Sequence, residues 1–482
     1  MEDLIRTALA AVDDPGVVHA DVRVVAPYRF VQLAVKNGAA SALTDARTEA
    51  LGVRVRTARA WGFATTTDLR PGPAREVARL AVRLAQAAGR HSREFLRVTD
   101  DPAAKGGRYA TPLKVDPFTM TFDPVLELLT AAEKGLHVSR AVKSGMATFN
   151  AWEENKWYGS SDGASYVSRI VHVGAGVAAT AVRGSNVQRR SAPTSFGGDF
   201  SQAGFEFVES LDLAGRAPEV GRQAAALLEA PVCPTGPTTL VLGSAQLALQ
   251  VHESVGHAVE LDRIFGSEAA FAGTSWVSSE KVGTLRYGSD HMNVVADATV
   301  PGGLGTFGWD DEGVVAQRTP IVHRGILVGT LSSRESAAEL GLQRSGGTAR
   351  ASGGDRAPLV RMTNINLEPG DSSFEELLEG VKEGVYLDMN RSWSIDDRRL
   401  NFQFGTEFGR RIVRGELGGM VRNPIYSGMT PAFWASMDAV GDRSTRHLWG
   451  LPNCGKGQPI QEARVSHAAP IARFRRVAVR GG

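Results

Sequence analysis

Hydrophobic and polar residues alternate with a period of two over much of the first hundred positions of the chain. The stretches ADVRVV, from Ala20, and VQLAVKNG, from Val31, show this alternation, and the turn pair Asn37-Gly38 ends the second stretch. Such alternation is typical of β-strands with one buried face. GVRVRTARAWGFATT, from Gly52, continues the pattern, so the sequence predicts a β-sheet at the start of the chain.

A helical pattern follows this predicted sheet. In REVARLAVRLAQAA, from Arg75, apolar residues recur every three or four positions, at Val77, Leu80, Ala81, Leu84, Ala85 and Ala88. This spacing places them along one side of an α-helix, and we expect that side to face the core. Further helices are predicted in PVLELLTAAEKGLH, from Pro124, and around GRQAAALLEA, from Gly221.

The chain divides most clearly at PVCPTGPTT, residues 231–239. Its three prolines cannot continue a helix, and the strand-like TLVLG begins at its last residue. A weaker boundary lies in the polar stretch of residues 99–112. We therefore predict an α+β fold with an α/β N-terminal part, divided into an N-terminal α+β domain (1–110), a central α+β segment (111–230) and a strand-rich C-terminal domain (231–482).

Two polar patterns allow local predictions in the C-terminal domain. Ser372 is followed three residues later by Glu375, the spacing of a capping box, and helical apolar positions accompany it. The consecutive acidic residues Asp310, Asp311 and Glu312 are expected to face solvent or to cap the local backbone.

Composition limits the class of protein. Of the 482 residues, 43% are hydrophobic and 22% are charged, which is the globular range, and the net charge of +2 gives no basic field for nucleic acid. Two cysteines exclude a disulfide scaffold. The N-terminal stretch lacks the pattern of a signal peptide, and no apolar run is long enough for a membrane span. We expect a cytoplasmic protein without nucleic-acid or membrane partners.

The stretch HESVGHAVELD, from His252 to Asp262, carries the main candidate chemistry. Zinc proteases usually place two histidines four positions apart on a helix, whereas His252 and His257 are five apart. Five residues of regular helix separate two side chains by about 140° around the axis, too far for a common ion. A π-bulge would bring them to one side, and Gly256 relaxes the steric limits on such a distortion. A metal site and two unrelated histidines on a surface helix both remain open.

A catalytic zinc site also needs a third protein ligand and an open position. Cys454, in LPNCGKGQP, is the candidate, although it lies 454 − 257 = 197 residues beyond His257. Lys456 beside it would favour the thiolate form, which is the form that binds metal. A half-buried structural cysteine is the alternative.

Several blocks resemble the TldD/PmbA family, proteins once called modulators of DNA gyrase. HESVGHAVELD is similar to the family's HExxxH signature, which the TldD branch keeps. The stretches GVRVRTARAWGFATTTDL, FGWDDEGVVAQRTPIVHRGIL, RMTN and CGKGQ and the terminal Gly481-Gly482 are similar to other family blocks, in the same order over essentially the whole chain. Ala258 and Leu261 depart from glycines that are frequent in the family.

The resemblance implies that His252, His257 and Cys454 bind Zn²⁺ and that Glu253 is the catalytic base. It implies a zinc-dependent peptidase in which Glu253 activates a zinc-bound water to cleave unfolded or extended peptides. It also implies a heterodimer with a PmbA/TldE-like paralogue, with a homodimer as the second possibility. The substrate, its cleavage preference and the oxyanion-stabilising residue are not identifiable from the sequence.

Two other functions compete with this one. The first is a zinc-binding but non-proteolytic regulator that grips a protein partner such as gyrase, and the second is a small-molecule or amide hydrolase that uses the same zinc chemistry. A structural zinc site should have four protein ligands. No second cysteine lies near Cys454, and Cys233 belongs to the proline-rich linker, so an open catalytic site is favoured.

Overall fold

The N-terminal half of the molecule is one large antiparallel sheet with helices packed against it. The computed structural model describes residues 1–482. The helices of this half are α1 (Glu2–Ala10), α2 (Pro71–His91), α3 (Asp123–Gly135), α4 (Phe205–Ser210) and α5 (Leu213–Leu227). Its strands are β1 (Val17–Lys36), β2 (Ala39–Thr57), β3 (Trp61–Thr66), β4 (Gly107–Ala110), β5 (Val142–Ser160), β6 (Ser165–Arg183), β7 (Asn186–Ala192) and β8 (Asp199–Ser201). They form a single sheet of order β3-β2-β1-β5-β6-β4, with β7 and β8 also paired to β6.

This sheet contains strands from both sides of residue 110, the predicted end of the N-terminal domain. Strand β1 pairs with β5, so that Leu33 lies opposite Phe149, and β4 pairs with β6 in the only parallel contact of the sheet. Helices α1 and α2 cover a core of 17 buried residues at one end, and α3 and α5 cover a core of 24 at the other. The division at residues 110 and 230 stays a prediction.

The buried face of helix α2 differs from the predicted one. Ala81 and Ala85 are buried as predicted, but Leu80 and Leu84 are 39% and 42% exposed, and Ala74, Ala78 and Val82 are buried in their place. The reason is the closeness of the helix to the sheet: a Cβ at Gly62 would lie 2.2 Å from the Ala81 carbonyl oxygen. Only small side chains fit at that distance, so the alanine face packs inward and the leucines stay outside.

The C-terminal half contains a closed five-stranded barrel. Strands β16, β9, β23, β19 and β17 pair in that order, and β17 pairs again with β16. The strands of this half are β9 (Gly236–Leu242), β10 (Val294–Asp297), β11 (Arg318–His323), β12 (Ile326–Leu327), β13 (Ala349–Arg350), β14 (Leu359–Val360), β15 (Ile365–Leu367), β16 (Glu383–Ile395), β17 (Asn401–Val413), β18 (Glu416–Val421), β19 (Pro424–Met429), β20 (Met437–Val440), β21 (His447–Lys456), β22 (Gln461–Ala469) and β23 (Ala472–Gly481). Its α-helices are α6 (Ser244–Val251), α7 (Leu261–Ile264), α8 (Arg334–Glu339), α9 (Phe374–Leu378) and α10 (Thr430–Ala435).

The largest hydrophobic core of the molecule, 41 buried residues, lies in this half. Helix α6 follows β9 directly, and all eight of its residues are buried. The α+β class with a strand-rich C-terminal part is thereby confirmed. None of the helices combines the length and apolarity that crossing a membrane requires.

The capping box of helix α9 lies one residue later than predicted. The Ser373 hydroxyl accepts from the Glu376 backbone N–H, and the Glu376 carboxylate accepts from the Ser373 backbone N–H. Ser372 and Ser373 each have a glutamate three positions later, so the spacing alone does not identify the serine that caps the helix. Ser372 instead donates its backbone N–H to Val440, and this contact decides the start of the helix.

Candidate metal centre

Helix α6 ends in a π-helix that contains the first predicted ligand. The π-helix spans His252–Gly256 and is followed by a 3-10 turn at His257–Val259. The backbone N–H of His257 donates to the carbonyl of His252, five residues earlier, which is the π-helical pattern. The extra residue brings the two imidazole centroids to 4.9 Å. The predicted distortion is confirmed, and it resolves the five-residue spacing.

Gly256 serves this segment differently from the sequence prediction. Its backbone has φ −51° and ψ −58°, an ordinary helical conformation that any residue can adopt. A Cβ at this position would lie 2.1 Å from the sulfur of Met362. Glycine therefore lets the π-helix pack closely against Met362, whose side chain would have to shift to admit a Cβ.

Cys454 meets the two histidines from the other end of the domain. It lies in strand β21, where a bulge interrupts the pairing with β22 between Leu451 and Cys454. Its Sγ atom lies 3.6 Å from His257 Nε2, and the candidate ligand atoms of the three residues all lie within 4.8 Å of one another. All three side chains are buried. The fold thus brings together every ligand that the sequence proposed.

The outer nitrogens of both imidazoles are occupied, which leaves the inner ones for a ligand. His257 Nδ1 lies 3.1 Å from Glu260 Oε2, and His252 Nδ1 lies 2.7 Å from His467 Nε2. His467 in turn donates Nδ1–H to the Ile365 carbonyl, so its Nε2 accepts from His252. Both candidate ligands therefore present Nε2, the arrangement that partners of metal-bound histidines typically enforce.

Burial favours the ligand form of these imidazoles. It lowers the pKa of His252 and lowers that of His257 still further, which keeps both rings neutral. His467 was not identified from the sequence. It lies in strand β22, 215 positions from His252, and neither spacing nor residue type relates the two.

The Cys454 thiol is held in a cationic environment. Burial alone would raise the pKa of the thiol, but its contact with His257 and the charge of Arg361 outweigh it, so the pKa is lowered. Arg361 is fully buried and also donates to the carbonyl of Cys454. Two neutral imidazoles and an easily ionised thiol within 4.8 Å of one another are a donor set that fits zinc.

Lys456 binds carboxylates rather than the Cys454 thiol. Its Nζ atom donates to both carboxylate oxygens of Asp262, at 2.7 and 2.9 Å, and lies 3.3 Å from Glu260 Oε2. The expectation that Lys456 ionises Cys454 is therefore wrong. This buried lysine instead ties the late β-hairpin to the segment that follows the π-helix, and so joins the two halves of the metal motif.

Glu253 follows the first candidate ligand, His252, in the π-helix. Its side chain is 8% exposed, and Oε2 accepts from Arg399 Nη1 at 2.7 Å. Oε1 has no hydrogen-bond partner in the chain. A carboxylate with one anchored and one unpartnered oxygen can both keep its position and exchange a proton. Arg399, in the loop between β16 and β17, was not identified from the sequence because nothing in DDRRL marks one arginine over the other.

The acidic triplet lies apart from this centre and is buried. Asp311 lies 2.8 Å from Lys156 Nζ, and Glu312 accepts from Arg54 at 2.9 Å. Asp310 accepts three backbone N–H groups, so the predicted local capping is confirmed for that residue. The expectation of solvent exposure is wrong, because the N-terminal sheet supplies cations that no local pattern could show.

Two histidines, a cysteine and an adjacent glutamate in a strand-rich domain are the elements of a metallopeptidase centre. Comparison with protein-family models agrees. The model of the PmbA/TldA metallopeptidase central domain matches residues 115–230, and that of the PmbA/TldA metallopeptidase C-terminal domain matches residues 235–481. The chain belongs to the PmbA/TldD metallopeptidase family.

Individual relatives extend this result. A metalloprotease of Methanothermobacter thermautotrophicus is 29% identical over 99% of both chains. A zinc metalloprotease TldD homolog of Saccharolobus solfataricus is 29% identical over 51% of this chain and 52% of its own length. A crystal structure from Thermotoga maritima, described as a modulator of a DNA gyrase, shares the fold with a TM-score of 0.77 at 17% identity, over 99% of each chain.

Proposed function

We propose that the chain is a zinc-dependent peptidase that hydrolyses peptide bonds of unfolded or extended peptides. The observation that carries the proposal is the convergence of His252, His257 and Cys454, with Glu253 next to His252 in the π-helix. Family membership supports a metallopeptidase, and the name of the Saccharolobus solfataricus relative supports zinc as the metal.

Each residue of the site has a separate role in the proposed reaction. His252 and His257, through Nε2, and Cys454, through Sγ, would hold the ion. A bound zinc ion supplies a Lewis acid that polarises the scissile carbonyl and makes water more acidic. Glu253 Oε1 accepts the proton of the attacking water and passes it to the departing amine. Glu260 and His467 keep both imidazoles in the required tautomer.

The depth of the centre supports the proposed substrate class. The three candidate ligands are only 3–4% exposed, so a folded domain cannot bring a peptide bond to them. We propose that a single extended segment reaches the centre. We also propose that the chain works in a reducing cytoplasm, which the two free cysteines support, and as a heterodimer with a PmbA/TldE-like paralogue, with a homodimer as the second arrangement.

Zinc content and peptide cleavage test the proposal together. We expect wild type to bind about one zinc per chain by the three-ligand scheme. Cys454→Ser should lose most of it, whereas Cys233→Ser, the matched change at the other buried cysteine, should keep it. Glu253→Gln should retain zinc and lose turnover of unstructured peptides. Folded protein and dipeptides are assayed in parallel. Cleavage of the unstructured peptides alone would identify unfolded or extended peptides as the substrate class.

Two results would count against the proposal. Wild-type zinc in Cys454→Ser would remove the cysteine from the site, and full activity in Glu253→Gln would remove the base. A chain that binds zinc through all three ligands but cleaves no peptide, alone or with a copurifying paralogue, would point to the non-proteolytic regulator.

A further inference from the structure

Arg399 makes one carboxylate contact, and that contact is with the candidate base. Its Nη1 atom lies 2.7 Å from Glu253 Oε2, and no other carboxylate lies within 4.0 Å of the guanidinium. No other cation lies within 4.0 Å of the Glu253 carboxylate. The arginine side chain is 16% exposed, so the pair is largely shielded from water. Ion pairs of this kind hold their geometry far better than exposed pairs do.

The loop that carries Arg399 is built to keep it in place. The Asp396 carboxylate accepts from the backbone N–H groups of Leu400 and Asn401, at 2.8 and 3.1 Å. The backbone N–H of Arg399 donates to the Asp396 carbonyl, and Thr430 donates to the Arg399 carbonyl at 2.7 Å. The N–H and the carbonyl of Arg399 are therefore both held by hydrogen bonds that do not involve its side chain.

The backbone at Arg399 has a conformation that favours glycine. Its φ is +60°, in the left-handed region that is unfavourable for a residue with a Cβ. Arg414, in the turn between β17 and β18, has a similar φ of +52°, but it is exposed and makes no side-chain hydrogen bond or ion pair. A turn alone therefore does not explain the buried guanidinium at Arg399, whose Nε atom has no partner.

We propose that Arg399 is a positioning residue for Glu253. By holding Oε2, it fixes the rotation of the carboxylate so that Oε1 remains the oxygen that exchanges the proton. This role rests on the proposed peptidase function and adds to it a residue outside the family's metal motif.

The kinetic test compares two neighbouring arginines. In the zinc-loaded protein, Arg399→Met should lower kcat by about 10–100-fold, since small misplacements of a catalytic group cost rates of this order. The KM and zinc content should stay near wild type, and Arg399→Lys should recover part of the loss. Arg398→Met is the matched control, because Arg398 is exposed, has no side-chain partner and should have no effect. Guanidinium ion should partly restore Arg399→Gly and leave Arg414→Gly unchanged.

A second measurement does not depend on activity. In the metal-free chain, the melting-temperature shifts of Glu253→Gln and Arg399→Met should not add in the double variant, because both changes break the same contact. The shifts of Glu253→Gln and Arg398→Met should add. A wild-type kcat in Arg399→Met, or additive shifts for the pair with Glu253, would overturn the positioning role. A wild type that cleaves no peptide would instead overturn the proposed function, and the role with it.

Discussion

Two buried polar regions of this molecule differ in how their groups are paired. Around the acidic triplet, carboxylates face cations: Arg54 contacts Asp21 and Glu312, and Lys156 lies between Glu154 and Asp311. At the metal centre, the inner nitrogens of two histidines and the sulfur of Cys454 instead face one another within 4.8 Å. Buried groups normally have partners. The first region is therefore structural, whereas the second has the donor set of a metal site.

The largest loss of stability is expected when a cation is removed from the ion pairs around the acidic triplet. Arg54→Met should destabilise the chain by about 3–5 kcal/mol, because two buried carboxylates would lose their common cation. The Arg54 guanidinium also lies 4.3 Å from the Trp61 ring, and this contact would weaken too. Urea unfolding measures the loss. Arg47→Met on the same strand, exposed and without an ion pair, should change stability little, and an equal loss in both variants would contradict the assignment.

The packing of the π-helix is the next point to test. Gly256→Ala should cost about 1–3 kcal/mol of stability, because the new methyl group would meet the Met362 sulfur. Gly72→Ala, at a helical glycine with open space around it, is the control and should be near neutral. Combining Gly256→Ala with Met362→Ala should cost less than the sum of the two single changes. A fully additive double variant would show that the clash is absent.

The partner of His257 should tune metal affinity. Glu260→Gln should weaken zinc binding about 10–100-fold, as losing such an orienting carboxylate typically does. Asp262→Asn is the matched control, since Asp262 binds Lys456 and makes no hydrogen bond to a ligand imidazole. Competition with a chromophoric chelator gives both affinities. Equal weakening in the two variants would mean that the charge of the segment matters rather than the hydrogen bond.

A smaller effect should appear in the pH dependence of stability. Burial alone would raise the pKa of Asp21, but the charges of Arg54 and His19 outweigh it and lower the pKa to about 2. A carboxyl with a lowered folded pKa stabilises the chain above its unfolded pKa, and that contribution disappears as the pH falls. The stability difference between wild type and Asp21→Asn should therefore shrink by about 1 kcal/mol between pH 5 and pH 3. A constant difference would contradict the lowered pKa.

Local patterns predicted those features that depend on neighbours in the chain. The strands of the first hundred residues, the strand β9 that follows the proline-rich stretch and the π-helix at His252 could all be predicted, since each follows from short-range geometry. Where two local solutions were nearly equal, prediction failed. Ser372 and Ser373 have the same capping spacing, and α2 has leucines on one side and alanines on another. Tertiary contacts chose between them.

The sequence by itself determined the chemistry that this centre has available: two histidines, a cysteine and a glutamate, with the histidines at a spacing that needs a π-helix if both are to bind one ion. Only the tertiary structure decided how these groups are held. His467 reaches His252 across 215 residues, Arg399 reaches Glu253 across 146, and Lys456 reaches Asp262 across 194. Contacts between such distant positions depend on how the strands of the barrel and the late hairpin pair, and no periodicity or local spacing encodes that pairing.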